Sequence, residues 1–265
     1  RTAVHFTDLA PDGTIGSWAA LEWMAQCIAN WTGLITEMDR VEAPFYTDAD
    51  WGQPDQPNQW GGLGHHPVIE FFVVREGSVW GADDDTDIEY LYQYLHEVNK
   101  TSKLSAGQIR DGWLKHMWSD NYNQDGQNYL WVSNENAYEL MAMGHLPPAT
   151  SDPELNPDFD MIDAQLTTEI FGLFAPGRPD VALDLARLPV RTTARADAEA
   201  AANFYIIMHA LAATVDASRP LKDQVFALAA AARERTPADT VIASMYDFIK
   251  AKYDANPDTM DWAQA

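Results

Sequence analysis

Asp83, Asp84, Asp85 and Asp87 put four carboxylates within five positions, in the run Gly81-Ala-Asp-Asp-Asp-Thr-Asp87. The run sits where a glycine-rich stretch gives way to an amphipathic helix. Three adjacent carboxylates repel one another and require something positive. Two sources would answer. A helix N-terminus favours an anion by about 0.3–1 kcal/mol per group, and a hard, oxygen-seeking divalent cation such as magnesium takes carboxylates as ligands. Helix capping ordinarily uses one acid or two. On the residues alone both readings stay open.

Other residue types able to do chemistry are weaker candidates. His65 and His66 follow Gly61-Gly-Leu-Gly64, but histidine prefers softer ions than magnesium and adjacent histidines rarely face one site. His209 lies among Ile206, Ile207, Met208 and Leu211 and reads as a helix histidine at the edge of a core. Trp51, Trp60, Trp80, Trp118 and Trp131 lie in or beside loops, where an indole can stack on an adenine or a sugar. Singly each reads as packing, with at least one expected to line a cleft.

The elements that must position these groups are helices. Ile15, Trp18, Leu21, Ile28 and Trp31 recur at helical spacing, so a buried helix is expected over 15–35 with Gly33 ending or bending it. About forty residues rich in Gly, Pro, Asp and Gln follow from Val41, and a loop of that length in a compact domain is usually functional. Within it only Val68–Val74 is strand-like. Ile88, Leu91, Tyr92, Leu95 and Val98 form one stripe, which predicts a helix from Thr86 to Asn99 directly behind the acids.

Ser105 caps the next helix, with Ile109, Trp113 and Met117 on its inner face. Further helices are expected over 134–143, ended by Gly144, and over 161–174, 179–188, 197–215 and 221–233. Thr236-Pro-Ala-Asp239 marks the start of a last helix carrying Val241, Ile242, Met245, Tyr246 and Ile249. The expected architecture is all-α, a compact multi-helix bundle forming a single domain over 1–265.

Composition narrows the partners. With 17 basic against 40 acidic residues, a net charge of −23, the chain is not expected to bind nucleic acid, whose phosphates need a basic surface, nor an anionic membrane. No apolar run approaches the ~18 residues of a membrane span. Cys27 is the only cysteine, so neither an internal disulfide nor a cysteine-built zinc site is possible, and a reducing, cytoplasmic compartment is expected. The chain opens on Arg1 rather than Met, which leaves room for a processed leader ahead of it.

Three ordered segments resemble the ADP-ribosylglycohydrolase family, the all-α hydrolases related to the enzyme that removes ADP-ribose from dinitrogenase reductase. Ala29-Asn-Trp-Thr-Gly33-Leu-Ile-Thr-Glu37 is similar to the family's opening Gly-Asp-x-x-Gly-x-x-x-Glu, with Ala29 and Asn30 in place of Gly and Asp. Asp83-Asp-Asp-Thr86 is similar to its Ser/Thr-Asp-Asp-Thr. Ile162-Asp-Ala-Gln-Leu-Thr-Thr-Glu-Ile-Phe-Gly172, with the turn Ala175-Pro-Gly-Arg-Pro-Asp180, is similar to its Ile-Gly-Ala-Gln segment and Pro-Gly-x-Pro turn.

The resemblance implies a metal-dependent glycohydrolase that cleaves an N- or O-glycosidic bond at a ribosyl-like anomeric carbon. The substrate would be a small molecule or an ADP-ribosylated conjugate. It implies Asp83, Asp84 and Asp85 as ligands of one of two magnesium ions, Asp84 with a catalytic role, and Glu37 as general base or substrate gate. The family's second metal motif, Asp-x-Asp-Thr near the C-terminus, is not found, nor is its usual His-x-x-Asn-Gly before the long helix. A second chain or a further C-terminal segment is therefore expected to complete the site. Two alternatives stand beside the main reading: a glycosidase acting on another carbohydrate or a natural-product glycoside, and a non-catalytic binding or structural protein on the same fold.

Overall fold

A computed structural model of the chain describes residues 15–33, 44, 46–54, 68–69, 84–117 and 130–256. These residues are all-α. They contain no strand, only an isolated bridge between Pro54 and Val68 flanked by the Gly52 N–H donating to the Ile69 carbonyl at 2.8 Å. The strand expected over 68–74 falls mostly outside the described residues. No described helix is long and apolar enough to cross a membrane.

The chain divides into two compact units, one of residues 1–83 with 251–265, the other of 84–250. The described helix of the first is α1 (Ile15–Gly33), which buries Trp23 and Cys27. The second unit begins with α2 (Asp84–Asn99), α3 (Ala106–His116) and α4 (Val132–Ala142). Two short helices follow, α5 (Asp163–Thr167) and α6 (Ile170–Phe174), then α7 (Pro179–Thr193), α8 (Ala196–Ala212) and α9 (Leu221–Arg235). The last, α10 (Val241–Ala255), runs past the unit's end.

Local rules explain most boundaries. The α2 stripe buries Ile88, Leu91, Tyr92 and Leu95, while Val98, in the last turn, is exposed. Ser105 and Gln108 form a reciprocal capping box at the start of α3, whose Ile109 and Trp113 are fully buried. Gly144 follows α4 at φ +97°, a conformation that suits a residue lacking Cβ. Gly177, in the Pro-Gly turn, sits at φ +70° and donates its N–H to the Ala210 carbonyl at 2.7 Å, tying that turn to α8.

The centre of the second unit is α8, packed against α5, α6, α7 and α9. Its Ala198, Ala202 and Ala210 are buried, and small residues allow close approach. Opposite them lies Gly172 of α6, where an added Cβ would fall 2.5 Å from His209 Cβ and 2.7 Å from the Ala210 nitrogen.

Three expectations are corrected. The single helix expected over 161–174 is two, because Thr167 and Thr168 turn their hydroxyls back onto the Asp163 and Ala164 carbonyls, at 3.0 and 2.6 Å, and Thr168 leaves helical geometry at φ −132°, ψ 4°. α7 does not stop at Leu188 but continues through Pro189 to Thr193. Proline forfeits one helical hydrogen bond, but Pro189 and Val190 are buried, and Tyr92 of α2 donates its hydroxyl to the Pro189 carbonyl at 3.5 Å. α10 starts not at Thr236 but at Val241, whose N–H donates to the Asp197 carboxylate at 2.7 Å.

Candidate functional site

Asp85, Glu89, Tyr92 and His96 follow one another along α2 at steps of four, three and four, which places them on one helix face. Behind Asp85 that face is pressed against α6. The Ile170 N–H donates to Glu89 Oε1 at 2.9 Å. Tyr92 meets Phe171 edge-on at 5.5 Å between ring centres, and His96 meets Phe171 at 5.8 Å and Phe174 at 5.6 Å in the same manner. The polar upper end of the face is thereby fixed by an aromatic lower end.

Glu89 is fully buried, although carboxylates almost never are unless paired. Its partners include the Ile170 N–H and the carboxyl of Glu169, one of the two residues between α5 and α6. Burial, reinforced by the charge of Glu89 alongside and by the hydrogen bond between the two, pushes the Glu169 carboxyl up to about 8. Two carboxyl groups joined by a hydrogen bond hold one proton between them. Burial and the neighbouring Glu89 carboxyl thus favour the protonated, hydrogen-bond-donating form of Glu169, while Glu89 Oε1 accepts from the Ile170 N–H.

Histidines on either side are neutral for the same reason that Glu169 is protonated. Burial holds the His209 ring below its usual range, and that ring is hydrogen-bonded to the Glu169 backbone. Burial likewise lowers His96, whose Nδ1 lies 2.8 Å from the Thr101 carbonyl and so carries the proton. A fifth titratable group, Asp163 at the start of α5, accepts from the Ser133 hydroxyl at 2.7 Å and is pushed upward by burial.

Of the residues singled out in the sequence, Asp85 and Thr86 are half-buried on the first turn of α2 and Asp87 is exposed. Asp84 is the first residue of α2, its side chain lying outside what is described, as do Asp83 and Glu37 altogether. Among the described residues no three His, Cys, Asp or Glu side chains converge at metal-ligand spacing; the acidic run is represented there by its later half. Its donor set, carboxylates and a threonine hydroxyl, is the all-oxygen chemistry that suits magnesium or calcium. Trp51 and Trp131 are exposed, while His65, His66, Trp60, Trp80 and Trp118 lie outside the described residues.

Glu89 and Glu169 escaped the sequence reading. A signal for Glu89 was present, since it stands four positions after Asp85 on the face that Tyr92 buries. Nothing local marks Glu169, whose partner is about eighty residues away.

No family model, no curated protein and no solved structure matches the chain.

Proposed function

We propose that the protein is a divalent-metal-dependent glycohydrolase that cleaves an N- or O-glycosidic bond at a ribosyl-like anomeric carbon, with an ADP-ribosyl conjugate as the default substrate. The observation that carries the reading is the Glu89–Ile170 hydrogen bond. It joins the helix that opens with Asp84, Asp85 and Thr86 to the segment 162–172, and these are two of the three segments in which the chain resembles ADP-ribosylglycohydrolases. Motifs that merely chanced to look alike need not meet in space.

Asp83, Asp84 and Asp85 would hold magnesium, with Thr86 beside them. Magnesium, when bound, orients ribose hydroxyls and eases loss of a proton from water. Glu37 would accept that proton or gate the substrate. Glu89 and Glu169 act as positioning residues. Hydrogen-bonded to each other and to the Ile170 N–H, they hold segment 162–172 against α2. The test is release of free ADP-ribose from ADP-ribosyl-arginine or ADP-ribosyl-serine with added Mg²⁺, repeated with Asp84→Asn and Asp85→Asn. Turnover by the wild type that both variants lose supports the reading; turnover by none of the three contradicts it.

Ala29 and Asn30, where the family that the chain resembles has Gly and Asp, favour a second reading, a binding or structural protein on this fold. Under it, ADP-ribose would bind without any substrate being hydrolysed.

A further inference from the structure

Basic residues are scarce in this chain, 17 of 265, yet three of them converge on one surface cavity of about 280 Å³. Arg187 and Arg191, one turn apart on α7, and Lys103, just beyond the C-terminal end of α2, rim it; Leu104, Leu188 and Pro148 supply its apolar wall. A fourth cation, Arg195, is held nearby with its guanidinium donating to the Pro148 carbonyl, and its pKa is lowered first by burial and then by the repulsion of Arg191. Like charges gather at a cost, so the arrangement asks for an anion.

Three carboxylates face the group, and they leave it unsaturated. Asp184 pairs with Lys103 at 2.6 Å, but both side chains are more than half exposed, so the pair is weak. Glu199 binds Arg191 at Nε, 2.7 Å away, which leaves the two terminal nitrogens without a hydrogen bond among the described residues. Asp152 acts on Arg195 only at a distance. Arg187 has no ion pair or hydrogen bond among the described residues. The cations are not occupied in capping α7 either. The Arg191 and Thr192 carbonyls at its end accept from the Ser151 and Thr150 hydroxyls, at 2.8 and 2.7 Å.

We propose that this cavity is a binding site for a phosphate group, a mono- or diphosphate dianion gripped by the Arg187 and Arg191 guanidinium forks with Lys103 closing from the side. Planar guanidinium groups match phosphate oxygens two at a time. The volume is close to the lower bound of about 300 Å³ for small-ligand sites, enough for the phosphate and a small attached group. The site is separate from the acidic one, because Lys103 lies beyond the far end of a 16-residue helix about 24 Å long. It does not depend on the glycohydrolase reading.

Calorimetric titration of the full chain with inorganic phosphate, pyrophosphate and citrate, at low salt and about pH 8 where phosphate is a dianion, tests it. Saturable phosphate or pyrophosphate binding is expected in the wild type. Arg187→Gln, at an exposed position, should weaken it by about tenfold or more, with the far-ultraviolet spectrum unchanged. Arg235→Gln, on α9, should leave it as it was. The proposal is overturned if the wild type shows no saturable binding, if Arg187→Gln binds equally well, if Arg235→Gln loses as much, or if citrate binds as tightly as pyrophosphate.

Discussion

The Ile170 N–H donates to Glu89 Oε1 at 2.9 Å, across 81 positions of sequence. A backbone donor at the first residue of a helix is thus satisfied by a carboxylate from another helix rather than by a neighbouring cap. Glu89→Leu removes the acceptor and leaves a buried N–H unpaired. That should cost roughly 2–3 kcal/mol, read from urea unfolding. Glu89→Gln retains an acceptor oxygen and should cost less. Equal losses in the two variants would show that the bond contributes nothing.

Glu169 makes stability depend on pH. Its ordinary value is 4.5 and its folded value about 8. Between those limits the folded chain binds more protons than the unfolded one, so this group's contribution falls as pH rises from 4.5 to 8 and then levels off. His96 and His209, both lowered from 6.5, act on the other side: their contribution is lost as pH falls below 6.5. Glu169→Gln removes the alkaline decline only. The stability difference between variant and wild type should therefore grow with pH from about 5 to 8 and be flat above. A difference independent of pH would refute the shared proton.

Two buried glycines should respond differently to the same methyl group. At Gly172 an added Cβ meets backbone, 2.7 Å from the Ala210 nitrogen and 2.7 Å from the Ile206 oxygen, so α6 and α8 must separate. Gly172→Ala should cost about 1–3 kcal/mol. At Gly112 of α3 the Cβ meets Leu95 methyl carbons at 2.6 Å, which can rotate away, and alanine recovers roughly 0.5–1 kcal/mol of helix propensity. Thermal unfolding should show the larger drop for Gly172→Ala; the reverse order would contradict the close α6–α8 contact.

Where the controlling residues are neighbours in sequence, the fold was legible. The stripe behind the acidic run and the Ser105–Gln108 box need only local geometry, and α2 and α3 lie where those patterns place them. Long-range partners were not legible. The satisfied N–H at the start of α6 depends on Glu89, the start of α10 on Asp197, and the passage of α7 through Pro189 on burial against the rest of the bundle. The candidate site divides in the same way. Asp84, Asp85 and Thr86 announce themselves by type and adjacency. Glu89 and Glu169 are ordinary glutamates in sequence, made unusual only by the loss of water around them.

The acidic start of α2 carries the functional reading, and calorimetric titration with Mg²⁺ tests it most directly. The wild type should give a saturable heat that Asp84→Ala and Asp85→Ala each abolish or weaken by at least about tenfold, the loss of one carboxylate ligand to a hard cation. Equal heats in all three proteins, whether negligible or not, would contradict the account.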